Sequence, residues 1–263
     1  MNIKQTKIEK GTAYLEALVT HEEIDIEKNH VLDEMIKTVT VKGFRQGKAP
    51  KSIAEKEIEP NKLTNHIVGH VMNHILEHAI EQHKYRLLGR PVLEDMKTEK
   101  DGSWVVKLQL PLYPVVKLGD YAKYLKTKTS KNDTKNEKKV EEVYEALLAH
   151  EKVDVSDLII NEEVNYSLER LTAQSKSLNL PLEDYLKALG KSLDQVKKEY
   201  ASSAEKSVKL DILLLEIAKQ EKVDTDDQEL LEFAKASNVQ EKQMDQLRSI
   251  INRRKTIDFL MNI

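Results

Sequence analysis

One stretch near the C-terminal end constrains the fold most. Val208, Leu210, Ile212, Leu213, Leu214, Leu215, Ile217 and Ala218 do not fit a single stripe of 3.6-residue period, so the helix carrying them is apolar on more than one face. Such a helix needs neighbours on several sides, and the surrounding sequence supplies them. Helical spacing recurs over about 137–151, 157–177, 182–189, 192–222, 226–236 and 239–261. Ser156 and Ser192 stand where N-caps are needed, and Gly190 stops the short helix that begins near Pro181. Residues 140–263 therefore predict an all-α body, with no repeat of solenoid period.

The first 118 residues read differently. Gly11 and Thr12 turn the chain into a strand around Ala13–Val19. A helix follows from Asp25 to Val39, with Ile24, Val31, Leu32, Met35, Ile36 and Val39 near one face. A second helix runs from about Pro60 to Gln82 on Leu63, Ile67, Val68, Val71, Met72, Ile75, Leu76, Ala79 and Ile80. After the turn Gly89-Arg90-Pro91 come two extended segments, Val92–Met96 and Trp104–Leu110, joined through Asp101-Gly102 as a hairpin turn. This predicts an α+β domain over 1–118. Residues 119–139 are rich in Lys, Asn and Thr and read as a linker, and 140–263 form the helical domain.

Charge divides the chain the same way. Residues 1–118 carry 18 Lys and Arg against 17 Asp and Glu, 119–139 carry 7 against 3, and 140–263 carry 17 against 25. A basic middle and an acidic C-terminal half imply different partners for different parts. With no cysteine, a disulfide framework, a thiolate metal site and a Cys nucleophile are excluded. The N-terminus has no apolar run of signal type, and no stretch approaches the ~18 apolar residues of a membrane span. The expected location is cytoplasmic, with no membrane partner.

The informative segment is Gly43-Phe44-Arg45-Gln46-Gly47-Lys48-Ala49-Pro50. From Met35 to Ala54 there are five bases (Lys37, Lys42, Arg45, Lys48, Lys51) and no acid. The glycines permit sharp turns or positive φ, and Pro50 presets a following helical segment. Arg45 and Lys48 presented outward suit phosphates or carboxylates. Phe44 reads either as an exposed apolar anchor or as a side chain folded back on its own helices, and a basic loop reads either as a docking surface or as solvated surface. A phosphate-binding P-loop is excluded. That motif needs four residues between its glycines and Ser or Thr after the Lys; here three intervene and Ala49 follows.

GFRQGKAP resembles the ribosome-docking signature of bacterial trigger factor, Gly-Phe-Arg-x-Gly-Lys-x-Pro, at every fixed position. Elsewhere the likeness is one of pattern. Leu110–Tyr124 is similar to that family's exit from its N-terminal domain, and Val153–Leu171 to the helix that begins one of its arms. The resemblance implies an α+β ribosome-binding domain followed by an all-α, elongated chaperone domain with helical arms. It also implies contacts from Gly43, Phe44, Arg45, Gly47, Lys48 and Pro50 to a ribosomal protein and nearby rRNA beside the exit tunnel. The family usually inserts an FKBP-like prolyl-isomerase domain between these parts. Here only the Lys-rich linker occupies that place, so no catalytic residue and no enzyme activity is expected.

The expected function is that of an ATP-independent chaperone shielding nascent and unfolded polypeptides, with no cofactor and with weak homodimerisation. Candidate client-binding residues are Leu158, Ile159, Leu171, Leu178, Leu182, Leu186, Ile250, Ile251 and Leu260, with Leu180, Leu189 and Met261 beside them. Each could equally pack in a core. The rivals are an RNA-binding module, which lacks interleaved aromatics and an RNP motif, and a prolyl isomerase, for which Trp104 is the only tryptophan available to line a pocket. His66, His70, His74 and His78 recur every four residues, with His83 beyond. Neighbouring pairs at this spacing chelate zinc or nickel. Successive steps of four drift about 40° around the axis, and there is no HExxH, so a solvated helix flank is expected rather than a metal site. The pairs Glu162-Glu163 and Asp226-Asp227 sit at expected helix starts, where they favour the helix dipole.

Overall fold

A computed structural model describes residues 1–128, 136–237 and 243–263. The chain divides into two compact units, Met1–Tyr113 and Pro114–Ile263.

The first unit is built on a four-stranded antiparallel sheet of order β1-β2-β4-β3. Its strands are β1 (Asn2–Glu9), β2 (Thr12–Val19), β3 (Val92–Thr98) and β4 (Trp104–Pro111). Lys10 and Gly11 join β1 to β2, both at positive φ (44° and 69°), which is the requirement of a two-residue type I′ hairpin. The Asp101-Gly102 turn closes β3 on β4 as expected, with Gly102 at φ +83°. One sheet face is apolar. Ala13, Leu15, Ala17 and Val19 alternate along β2, and Val106, Leu108 and Leu110 along β4.

Two helices cover that face. Helix α1 (His21–Thr38) begins one turn earlier than its apolar pattern suggests, because Thr20 and Glu23 form a capping box. Helix α3 (Pro60–His83) presents Ile67, Val71, Ile75 and Ala79, a buried residue every fourth position. Between them lie a short helix α2 (Lys51–Ala54) and one 3-10 turn, Glu55–Glu57. Edge strand β1 is an addition to the elements expected from the sequence.

The second unit is all helical among its described residues. Its helices are α4 (Tyr121–Lys128), α5 (Asn136–His150), α6 (Asp157–Ser177), α7 (Leu182–Ala188), α8 (Leu193–Gln220), α9 (Asp227–Ser237) and α10 (Met244–Met261). Ser156 caps α6, and Ser192 with Gln195 forms a capping box on α8. The doubly apolar part of α8 is buried at Leu210, Ile212, Leu213, Leu214, Ile217 and Ala218, and α8 packs on α5, α6 and α10. Near its N-terminus a smaller core joins Leu171 of α6, Leu186 of α7 and Val196 of α8.

The segment 119–139 differs from the expected linker. Its first half is α4, whose Tyr121 and Leu125 are buried; Tyr121 donates a hydrogen bond to Glu221 at 2.7 Å, and the Gly119 N–H donates to buried Glu151 at 3.1 Å. The compact units part at Tyr113/Pro114 rather than at 118/119. Residues 129–135 lie outside the described residues, as does the expected start of the last helix at 239.

Ile75 is fully buried in the first unit, and Trp104, the sole tryptophan, packs against the same core. Ile75→Ala should lower the stability read by Trp104 fluorescence in urea by about 2–5 kcal/mol; an unchanged midpoint would contradict this core assignment.

Candidate docking loop

Residues 39–50 leave the end of α1 and return to α2. The departure is fixed by the Val39 N–H bonding the Met35 carbonyl. Two tight turns follow, closed by Phe44 N–H to Val41 O at 3.0 Å and Lys48 N–H to Arg45 O at 2.9 Å. The Gln46 amide donates to the Thr38 carbonyl at 2.8 Å, tying the loop back to the helix end. Pro50 stands before α2, and its carbonyl accepts the first helical bonds from Ile53 and Ala54. Val41, Ala54 and Ile58 are the buried side chains of this region.

The two glycines differ in role. Gly43 (φ +89°) has open space where a side chain would be, whereas a Cβ on Gly47 (φ +71°) would lie 2.7 Å from the Lys37 carbonyl oxygen. Gly47 is thus where the loop backbone passes against α1, a contact that residues with a Cβ forbid.

Three contact candidates point to solvent. Phe44 is 42% exposed, so it is not folded away into the helices behind it, and Arg45 and Lys48 are exposed. Of the five bases, Lys51 is engaged: its Nζ lies 2.8 Å from Asp33 Oδ1 and holds that carboxyl below the usual carboxylate range. Lys37, Lys42, Arg45 and Lys48 make no ion pair among the described residues. Residues 39–50 therefore offer three cations outside any ion pair among the described residues, Lys42, Arg45 and Lys48, and one half-exposed aromatic ring, Phe44. Such a surface recognises a phosphate-rich or carboxylate-bearing partner with one small apolar recess.

The candidate client residues separate by burial. Ile159, Leu171, Leu186, Ile251 and Leu260 are interior, and Leu158 and Leu182 are half-buried. Leu178 (55% exposed) and Ile250 (65%) face solvent, as do Leu180 and Leu189, together with Leu193, which sequence reasoning missed. Interior residues face inward because they complete helix-to-helix seams, while Leu178, Leu180 and Leu189 fall at the turns flanking α7. An open depression of about 520 Å³ lies between α7 and the start of α8, lined by Glu183, Leu186, Lys187, Gly190, Lys191, Ser192 and Leu193.

Gly47→Ala meets both the Lys37 carbonyl and left-handed strain, whereas Gly43→Ala meets the strain alone, about 1–2 kcal/mol. Hydrogen exchange at the Lys48 amide should accelerate more in Gly47→Ala than in Gly43→Ala. Equal effects would contradict the close approach.

Comparison with known proteins finds likeness across both units. The family model described as bacterial trigger factor protein matches residues 1–147, and the model for its C-terminus matches 121–262. The trigger factor of Carboxydothermus hydrogenoformans is 33% identical over 144 residues, half of this chain and 34% of that protein. That of Shouchella clausii is 24% identical over 275 residues, 95% of this chain and 62% of that protein. The chain thus spans less than two thirds of the curated relatives it matches. A solved structure of the trigger factor chaperone, from work on promiscuous substrate recognition in folding and assembly, superposes with a TM-score of 0.70 over 100% of this chain and 99% of that one, at 13% identity. No helix among the described residues is long and apolar enough to cross a membrane. The two family matches overlap at 121–147 and leave no stretch between them for an inserted domain: the chain belongs to the bacterial trigger factor family, in a form without the FKBP-like prolyl-isomerase domain.

Proposed function

We propose that this chain is a cytoplasmic, ATP-independent chaperone that docks beside the ribosomal exit tunnel through residues 43–50 and shields nascent or unfolded chains with its helical unit. The observation that carries the reading is the loop itself: half-exposed Phe44 in the same loop as Arg45 and Lys48, cations with no ion pair among the described residues, on a backbone that passes close to α1 at Gly47. Arg and Lys bind rRNA phosphate or acidic side chains, and Phe fills an apolar recess on a ribosomal protein. Gly43, Gly47 and Pro50 shape the loop that presents them.

Client capture needs exposed apolar area on a concave surface. Leu178, Leu180, Leu189, Leu193 and Ile250 supply such area; Ile159, Leu171, Leu186, Ile251 and Leu260 support it from inside. Neither role uses a nucleotide. Prolyl isomerisation has other requirements, because the intrinsic barrier of ~18–20 kcal/mol falls only in a preformed apolar pocket that twists the X–Pro bond. The family's inserted domain provides that pocket, so this form is proposed to have no enzyme activity. Self-association, where it accompanies these roles, is weak.

Changing Phe44, Arg45 and Lys48 together to Ala should weaken ribosome co-sedimentation tenfold or more, each anchor contributing ~1–3 kcal/mol. The same folded variant should still suppress aggregation of a denatured client as well as the parent does. Undiminished ribosome binding would overturn the docking assignment, and lost suppression would overturn the division of labour. The parent protein should also leave a proline-limited refolding phase at its uncatalysed tens to hundreds of seconds; acceleration at substoichiometric protein would restore the enzyme reading.

A further inference from the structure

The histidines of α3 sit one position before its buried stripe. His70 precedes Val71 and His74 precedes Ile75, so their rings lie along the edge of the covered face, on a helix that packs against α1. The helix α1 carries Glu27, His30 and Glu34 at steps of three and four, which share one face. Sequence spacing on α3 alone could not show that these two rows meet.

They do meet. One ligand atom from each of Glu27, His30 and His70 lies within 4.8 Å of the other two. Glu27 Oε2 is 3.6 Å from His70 Nδ1, and Glu27 Oε1 is 3.1 Å from His74 Nε2. Glu34 is 3.5 Å from His70 Nε2 and 3.9 Å from His30 Nε2. The rings of His30 and His70 are 5.5 Å apart, tilted by 57°. His66 and His78 are exposed and join no such contact among the described residues.

We propose that Glu27, His30 and His70, with His74 and Glu34 beside them, bind one divalent transition-metal ion of the zinc class between α1 and α3. Three features carry this. First, bonds of about 2.0–2.2 Å in a tetrahedral zinc site place ligand atoms ~3.4 Å apart. Closing from 4.8 Å takes about one ångström of side-chain motion, which His30 can make because its side chain is 61% exposed, while Glu27, at 15%, is held by its surroundings.

Second, His70 has a carboxylate at each ring nitrogen, Glu27 at Nδ1 and Glu34 at Nε2. With the ion at Nδ1 on the Glu27 side, Glu34 stands 3.5 Å from Nε2, where a small side-chain movement makes it the acceptor that fixes the tautomer of a ligating histidine. Third, no lysine or arginine pairs with Glu27 or Glu34 among the described residues. The two carboxylates therefore bring to the cluster negative charge that no lysine or arginine offsets there. Imidazole with carboxylate selects zinc, nickel or copper over magnesium and calcium.

A bound ion would clamp α3 to α1, the helix from which the loop 39–50 departs. Binding to the folded state alone then raises the stability of the first unit.

The test is titration of the whole chain with Zn²⁺ against a chromophoric chelator, with urea unfolding read at Trp104. One ion per chain should bind saturably, and the Trp104 midpoint should rise with Zn²⁺ but not with equal Mg²⁺. His30→Asn and Glu27→Gln, both on α1, should each weaken Zn²⁺ about tenfold or more; the paired change His66→Asn with His78→Asn should leave affinity unaltered. His30→Asn changes an exposed side chain, so it keeps the test decisive if Glu27→Gln unfolds. Absence of saturable binding would overturn the site. So would affinity undiminished by His30→Asn, since chelation would then belong to α3 alone.

Discussion

The packing of α1 and α3 across the single apolar face of the sheet underlies everything else in the first unit. The stripe Ile67, Val71, Ile75, Ala79 meets Leu15, Val19, Val106, Leu108 and Leu110 in one core, with each fully buried large aliphatic side chain contributing about 1.5–3 kcal/mol. This packing fixes where α1 ends. The loop 39–50 has few buried side chains of its own, Val41 among them, so it takes its position from that helix end. The row of Glu27, His30 and Glu34 also faces His70 and His74 only because the same packing sets the rotation of both helices.

Backbone geometry, more than charge pairing, holds the loop in shape. The Lys51–Asp33 pair is exposed on both sides, and such pairs contribute little. The Gly47 passage against the Lys37 carbonyl and the Gln46 bond to Thr38 are local and insensitive to salt. Arg45 and Lys48 are therefore not consumed in making the structure. A surface of this kind binds polyanions with strong salt dependence, while Phe44 adds an apolar contact that salt does not screen.

Some elements are legible in the sequence: β2 and β4 from alternation and α3 from a buried residue every fourth place, α6 and α8 from their serine N-caps and, for α8, from its apolar run. Strand β1 is not, because Lys4, Lys7 and the exposed Ile8 blur its alternation, as is usual at a charged sheet edge. Helix α4 is hidden because Tyr121 and Leu125, its two buried residues, stand among lysines. The start of α1 is encoded in Thr20-x-x-Glu23, a signal masked by the charged run around it. The loop 39–50 is readable because its residues are contiguous. Which aliphatic residues face solvent is not, since Leu178 and Leu186 look alike until the α6–α7 turn is placed. The histidine cluster depends on pairing two helices, which no single-helix spacing reveals.

The most direct measurement places a photo-crosslinking residue at position 44 of the whole chain and irradiates it with ribosomes. Docking through the loop predicts one dominant adduct, to a ribosomal protein beside the exit tunnel, lost when Arg45 and Lys48 are both alanine. Adducts from position 178 but none from position 44, or an unchanged adduct without the two cations, would contradict the account.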